Sequence, residues 1–364
     1  MESRAPGRLI HFNELSKLGK ITAEEPVIQP AHTTQTVFFS GKEGDALTAE
    51  MQVHAVDDST EQNRWRVDIR GSAGLSPHLP GVSVGTIKVP SRDQKGTTRS
   101  VALLNGFRPA FRDVSFMPTF EKPIVTHRKP RANRLFGGVF PPDDRVVLTD
   151  TSWPWLLIGK VITSDGTTGS GALVGDRIVL TAKHMRPTKS IADGSWWIKF
   201  VPHYYDGAEP FGSSYVSDTR YYATDAVYQD YMVCRLFDPL GSTLGYFGSQ
   251  EYVDRWNGLS VWASVGYPAD FQSAQRPALQ LPSVIEGSGA GGGGLALETE
   301  ADLWHGASGG PFWAYFEDEG RMQARIVGVV HGEFDVSPND DDNSLSGGAD
   351  MVHLIDWARA NWPK

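Results

Sequence analysis

GSGALVGDRIVLTAKHMRP, residues 169–187, is the stretch on which the reading of the fold turns. The run ALVGDRIVLTA is aliphatic and β-branched, broken by one Gly-Asp pair, and it delivers a histidine, His184, at its end. Apolar runs of this length between glycine punctuation read as strands joined by a hairpin. A lone histidine at a strand end is commonly structural, so His184 gains meaning only from what lies downstream.

Two segments downstream supply it. In YQDYMVCRLFD, residues 228–238, Asp230 stands at the head of an apolar strand. A carboxylate at the edge of a core requires a partner, and a histidine N–H would serve. Asp225, five residues earlier, competes for the same role. In HGASGGPFW, residues 305–313, Ser308 is surrounded by Gly306, Ala307, Gly309 and Gly310. Such a tight turn leaves a hydroxyl exposed and lets the N–H groups of Gly306 and Ser308 point into one pocket. Acyl transfer by serine needs a hydroxyl, a base, a group that holds the base in one tautomer, and N–H donors for the oxyanion. Ser308, His184, Asp230 and the Gly306/Ser308 amides are candidates for the four parts.

The order His184, Asp230, Ser308 brings out a resemblance. TAKH resembles the TAxH segment of trypsin-like peptidases, QDYMVCRL their Asp-led strand, GASGGP their nucleophile loop, and HLIDWARANW their closing helix. DDRVVLTDTSWPWLLIGKV, LGYFGSQ and VGYPAD look like the glutamyl-endopeptidase, or V8-like, branch. The resemblance covers about residues 141–364. It implies an all-β, chymotrypsin-like double β-barrel with a C-terminal helix, its active site between the barrels, and serine endopeptidase activity on a protein or peptide substrate without a cofactor or metal. A peptidase-fold binding or scaffold protein with weak catalysis is the alternative. An α/β-hydrolase esterase does not fit, because the triad order differs and no G-x-S-x-G elbow is present.

The chain departs from the family at three positions. Ala307 stands where the trypsin branch has the aspartate that pairs with a newly cut N-terminus, so that switch is absent. Asp302 lies six residues before Ser308, at the trypsin spacing for a carboxylate that binds a basic P1 side chain, but Trp304 replaces the cysteine that secures that pocket. The glutamyl branch instead uses a histidine in a GxH strand; here VGVVHGEF places His331 one residue later. A one-residue shift turns a strand side chain to the opposite face unless a bulge restores the register. The specificity residue is therefore open between Asp302, His331 and neither, with a slight lean to an acidic P1.

The rest of the chain sets the frame. It has 364 residues, 39 Gly, 23 Pro and 40% hydrophobic residues, a turn-rich composition long enough for more than one domain. Residues 1–32 read as a lead-in with a short helical possibility near HFNELSKLGK. Residues 33–120 read as a smaller β-rich accessory or pro-domain, residues 121–145 as a linker carrying the basic cluster HRKPRANR, and residues 146–364 as the peptidase domain. The net charge is -9, with 19 Lys and Arg against 14 Asp and Glu in residues 1–140, and 15 against 29 in residues 141–364. This asymmetry admits intramolecular docking of the N-terminal part, and regulation by it, or ordinary solvated charge. The acidic balance argues against nucleic acid as the main partner. No run is long and apolar enough for a membrane helix, and no signal peptide is visible, so the chain is expected to act inside the cell or to begin after processing. The single cysteine, Cys234, excludes an internal disulfide and is expected to be buried and inert. The glycine-rich GSGAGGGG, residues 287–294, lacks the features of a phosphate loop and reads as a flexible loop; DVSPNDDD, residues 335–342, reads as an acidic surface loop rather than a calcium site.

Overall fold

In the computed structural model, which describes residues 7–23, 49–56, 64–71, 79–88, 101–123, 138–333 and 343–362, the run ending at His184 forms two antiparallel strands, Thr168–Gly175 and Ile178–Thr181. All four residues of Ile178–Thr181 are buried, as expected of a strand covered on both faces. Its other neighbour is Met232–Leu236, the strand that follows Asp230, with Thr181 opposite Met232. The antiparallel pairing brings the end of one strand beside the start of the other, and this carries His184 toward Asp230.

These strands belong to a closed six-stranded barrel. Its order is Ile198–Pro202, Ile158–Thr163, Thr168–Gly175, Ile178–Thr181, Met232–Leu236 and Ser214–Tyr222, and the last pairs with the first. Closure satisfies backbone groups that an open edge would leave unpaired. The second half is a curled sheet that runs from Gly287–Gly291 through Gly294–Thr299, Asn343–Gly347, Arg321–Glu333, Pro311–Asp318 and Ser260–Gly266 to Ala278–Val284 and Val146–Leu148. One apolar core contains residues of both halves, from Leu156 and Leu180 to Trp313 and Ile326. The C-terminal helix, Ala349–Asn361, buries Met351, Leu354 and Ile355 against it. Arg359 of this helix donates to the carbonyls of Val174, Asn105 and Phe247, and its burial lowers its pKa to about 10.

Segments before residue 146 add to this frame. Arg8–Leu9 pairs with Pro311–Asp318, and the short helix Phe12–Leu18 follows it. Leu103–Leu104 pairs with Gly248–Gln250, Val114–Ser115 with Lys20–Ile21, and Phe120–Glu121 with Val146–Leu148. Ser83–Ile87 runs parallel to Ser214–Tyr222. Ile10, Leu15, Val114 and Phe116 are buried in the same core as Trp155 and Tyr315. Residues 30–79 form a separate compact unit, in which Ala49–Val56 and Arg64–Gly71 make an antiparallel hairpin.

The glycine-rich segment differs from the sequence expectation. Gly287–Gly291 and Gly294–Thr299 form a hairpin rather than an unstructured loop. A side chain at Gly291 would collide with the Tyr228 ring, with its Cβ at 2.1 Å, so glycine there answers close packing. Cys234 is buried and unpaired, and burial raises its thiol pKa, as expected of an inert side chain. The basic cluster 127–134 and the acidic loop 335–342 lie outside the described residues. No helix among the described residues is long and apolar enough to cross a membrane.

Candidate active site

His184 sits in a single 3₁₀ turn, Lys183–Met185, just past its strand. Asp230 directly follows the 3₁₀ turn Val227–Gln229, just before its own strand. The pairing described above brings them together twice. The His184 backbone N–H donates to Asp230 Oδ1 at 2.9 Å, and His184 Nδ1 lies 2.6 Å from Oδ2. Asp225, the competing carboxylate, is exposed. The Asp230 side chain is 5% exposed and that of His184 42%, so the pair has a buried acid and an accessible imidazole.

A third group completes this cluster. His331 Nδ1 lies 2.5 Å from the same Asp230 Oδ2, and the two imidazoles meet edge to face with centroids 5.9 Å apart. An ionised carboxylate only accepts hydrogen bonds, so both rings carry a proton on Nδ1. Neutral His184 then has Nε2 free as a base. Burial pushes the Asp230 carboxyl upward, but hydrogen bonds from His184 and His331 outweigh it and hold the group well below the usual carboxylate range. Nδ1 of each histidine and the Asp230 carboxylate could in principle take a metal ion, since they lie within 4.8 Å of one another. The contacts of 2.5 and 2.6 Å are hydrogen-bond lengths; ligands on a tetrahedral zinc stand about 3.3 Å apart for bonds near 2.0 Å.

Ser308 lies in the turn before Pro311–Asp318 and shares a cleft of about 570 Å³ with His184, Met185, Gly306 and His331. Among the described residues no hydrogen bond joins Ser308 Oγ to His184, a contact that can tighten only when substrate binds. The glycines in this turn have specific reasons. Gly306 has φ +94° and Gly309 φ +81°, both in the left-handed region. A Cβ at Gly306 would lie 2.4 Å from the Tyr267 carbonyl oxygen, and one at Gly309 2.2 Å from Thr181 Oγ1. The backbone N–H groups of Gly306 and Ser308 meet no backbone acceptor among the described residues.

Ser170, which sequence reasoning passed over, ties this turn to the closed barrel. It is fully buried. Its N–H donates to the Ser308 carbonyl at 2.8 Å, its hydroxyl donates to the Gly306 carbonyl at 2.7 Å, and that hydroxyl accepts from Tyr267 N at 2.9 Å. A serine within GSGALV carries no signal of this, because its partners lie about a hundred residues or more downstream.

The two specificity candidates are both engaged with other protein groups. Asp302 is 4% exposed, and its carboxylate accepts the backbone N–H of Phe140 at 2.7 Å and, more distantly, that of Asp144. Burial raises its pKa to about 6 against those bonds. It is absent from the residues lining the cleft. His331 turns to Asp230, and the strand is irregular between Val330 and Gly332; Val330, one residue earlier, faces the cleft.

A closed barrel and a curled half-barrel flank this cleft, and a C-terminal helix closes the chain. The protein has the chymotrypsin-like serine peptidase fold. No family model matches the chain. A glutamyl endopeptidase of Bacillus licheniformis is 28% identical to it over 180 residues, 48% of this chain and 54% of the relative. The chain thus spans about half the length of the curated relative it matches. Among solved structures, a Glu endopeptidase in complex with MPD has 21% identity and a TM-score of 0.49, covering 61% of this chain and 99% of that one. The protease Anisep from Arthrobacter nicotinovorans has 20% identity and a TM-score of 0.43, covering 57% and 97%.

Proposed function

We propose that the protein is a serine endopeptidase acting on protein or peptide substrates, with Ser308 as nucleophile, His184 as general base and Asp230 as the group that orients it. The observation that carries this reading is the buried Asp230 holding His184 through Nδ1, in the cleft that also contains Ser308. His184 Nε2 takes the Ser308 proton as the hydroxyl attacks the carbonyl. The same nitrogen then delivers that proton to the leaving amine, and water releases the acyl group by the reverse sequence. The Gly306 and Ser308 N–H groups face the developing oxyanion, an interaction worth roughly 3–4 kcal/mol per donor. Homology to a glutamyl endopeptidase supports the reaction class.

The segments before residue 146 that belong to the peptidase unit are read as scaffold, since they supply core side chains and sheet edges while the cleft is lined by residues 167–332. A fluorophosphonate probe tests the proposal. Labelling of the folded full chain that is lost in Ser308→Ala supports it. A folded protein that neither labels nor cleaves peptides would instead be a binding protein on a peptidase scaffold.

A further inference from the structure

The charges expected to select the substrate are all engaged with other protein groups. The Asp302 carboxylate accepts the Phe140 N–H and meets the Gln280 side chain. Arg145, which lines the same void as Asp302, is 3% exposed and gives its guanidinium to Asp143 at 2.8 Å and Asp270 at 2.7 Å. His331 directs Nδ1 to Asp230.

Access is the second point. Asp302 and Arg145 line a separate void of only about 10 Å³, room for a single water molecule. Leu303 and Val330 line both this void and the open cleft. The cleft and the void that holds the buried charges thus share these two aliphatic residues. Among the described residues the cleft is lined by no carboxylate, lysine or arginine. Its titratable side chains are His184 and His331, both bonded to Asp230, and His305, which is exposed.

We propose that the pocket beside Ser308 selects an uncharged, apolar P1 side chain, with Leu303 and Val330 as its specificity-determining residues. This rests on the peptidase reading and names its substrate class. An aliphatic P1 group buries apolar surface against Leu303 and Val330. A charged one would be desolvated there without a partner.

The test uses the full chain and peptide substrates that differ only at P1, as Leu, Val, Phe, Glu or Lys, after the fraction of active Ser308 has been titrated with a fluorophosphonate. The expected result is a kcat/KM for the best apolar P1 at least about 100-fold above Glu and Lys, with the same P1 ratios in Asp302→Asn. Labelled enzyme that prefers Glu overturns the proposal, as does labelled enzyme that prefers Lys and loses that preference in Asp302→Asn. Absence of labelling instead overturns the peptidase reading itself, and with it the assignment of this pocket.

Discussion

Replacing His331 by alanine separates two roles that a second histidine beside the cleft could play. His331 gives one of the two imidazole N–H bonds to Asp230 Oδ2, at 2.5 Å. A hydrogen bond to an ionised group contributes about 1.5–3 kcal/mol. Asp230 keeps the His184 backbone N–H and Nδ1–H after the change, so the acid stays ionised at neutral pH and the triad is loosened rather than lost. If about 2 kcal/mol of this is felt in the transition state, kcat falls roughly 30-fold. The fall should appear in kcat more than in KM, and the P1 profile should not change. His331→Asn, which retains an N–H donor, should recover part of the rate. The pH dependence gives a second readout. Asp230 has a depressed folded pKa, so its contribution to stability is present above the unfolded value near 3.9 and is lost as pH falls through the folded value. Without His331 the folded pKa rises, and acid unfolding should begin at higher pH than in wild type. Steady-state kinetics with one apolar-P1 peptide from pH 5 to 9, together with acid unfolding followed by circular dichroism, would measure both. Unchanged kcat with an altered P1 preference would refute the reasoning and return His331 to the substrate pocket.

Three further outcomes follow from the same geometry. Asp230→Asn should lower kcat on the order of 10⁴-fold with the fold intact; a silent Asp230→Asn beside a severe Asp225→Asn would move the role of the acid to Asp225. Ser170→Ala removes the hydroxyl bonded to Gly306 O and Tyr267 N and should cost about 1–3 kcal/mol in stability with a fall in kcat; a wild-type melting curve and rate would contradict the tie described above. For Asp302 the shift is upward, to about 6, so its burial costs no stability below the unfolded pKa and costs progressively more as pH rises through 6. Asp302→Asn should therefore gain relative to wild type between pH 4 and pH 8 in urea unfolding; a pH-independent difference would argue that the carboxylate is ionised throughout.

The segments that meet at the candidate site were legible because each is a local pattern. Apolar strands with a polar residue at one end announce His184 and Asp230, and a cluster of small residues announces the Ser308 turn. What decides the substrate was less legible, since it depends on which face a residue takes. His331 sits at the strand irregularity between Val330 and Gly332, and no periodicity in VGVVHGEF states which way its ring turns. Ser170 was invisible for another reason: the three hydrogen bonds that tie it to the second half reach groups between residues 267 and 308. The contribution of residues 7–23 and 101–123 was equally hidden, because two-residue strands such as Arg8–Leu9 and Val114–Ser115 are too short for any repeat.

Those short segments bear on how the N-terminal part should be tested. The opposed charges of the two parts of the chain suggested a cover removable by cleavage, but the described contacts near the core are buried apolar packing and hydrogen bonds. Phe116 is 4% exposed and stacks obliquely on Tyr315, with centroids 5.2 Å apart. The carbonyl of Ser115 accepts from Trp155 Nε1 at 2.7 Å and from the Tyr315 hydroxyl at 3.1 Å. Removing residues 1–140 would strip Ile10, Leu15, Val114 and Phe116 from the core and leave those two buried donors without an acceptor. Phe116→Ala alone should cost about 3–5 kcal/mol, enough to lower Tm by roughly 4–8 °C for a unit of this size. Deletion should therefore yield insoluble or molten protein with reduced activity. A folded, more active 141–364 fragment would show instead that the N-terminal part restrains the enzyme, and that the core it completes is dispensable.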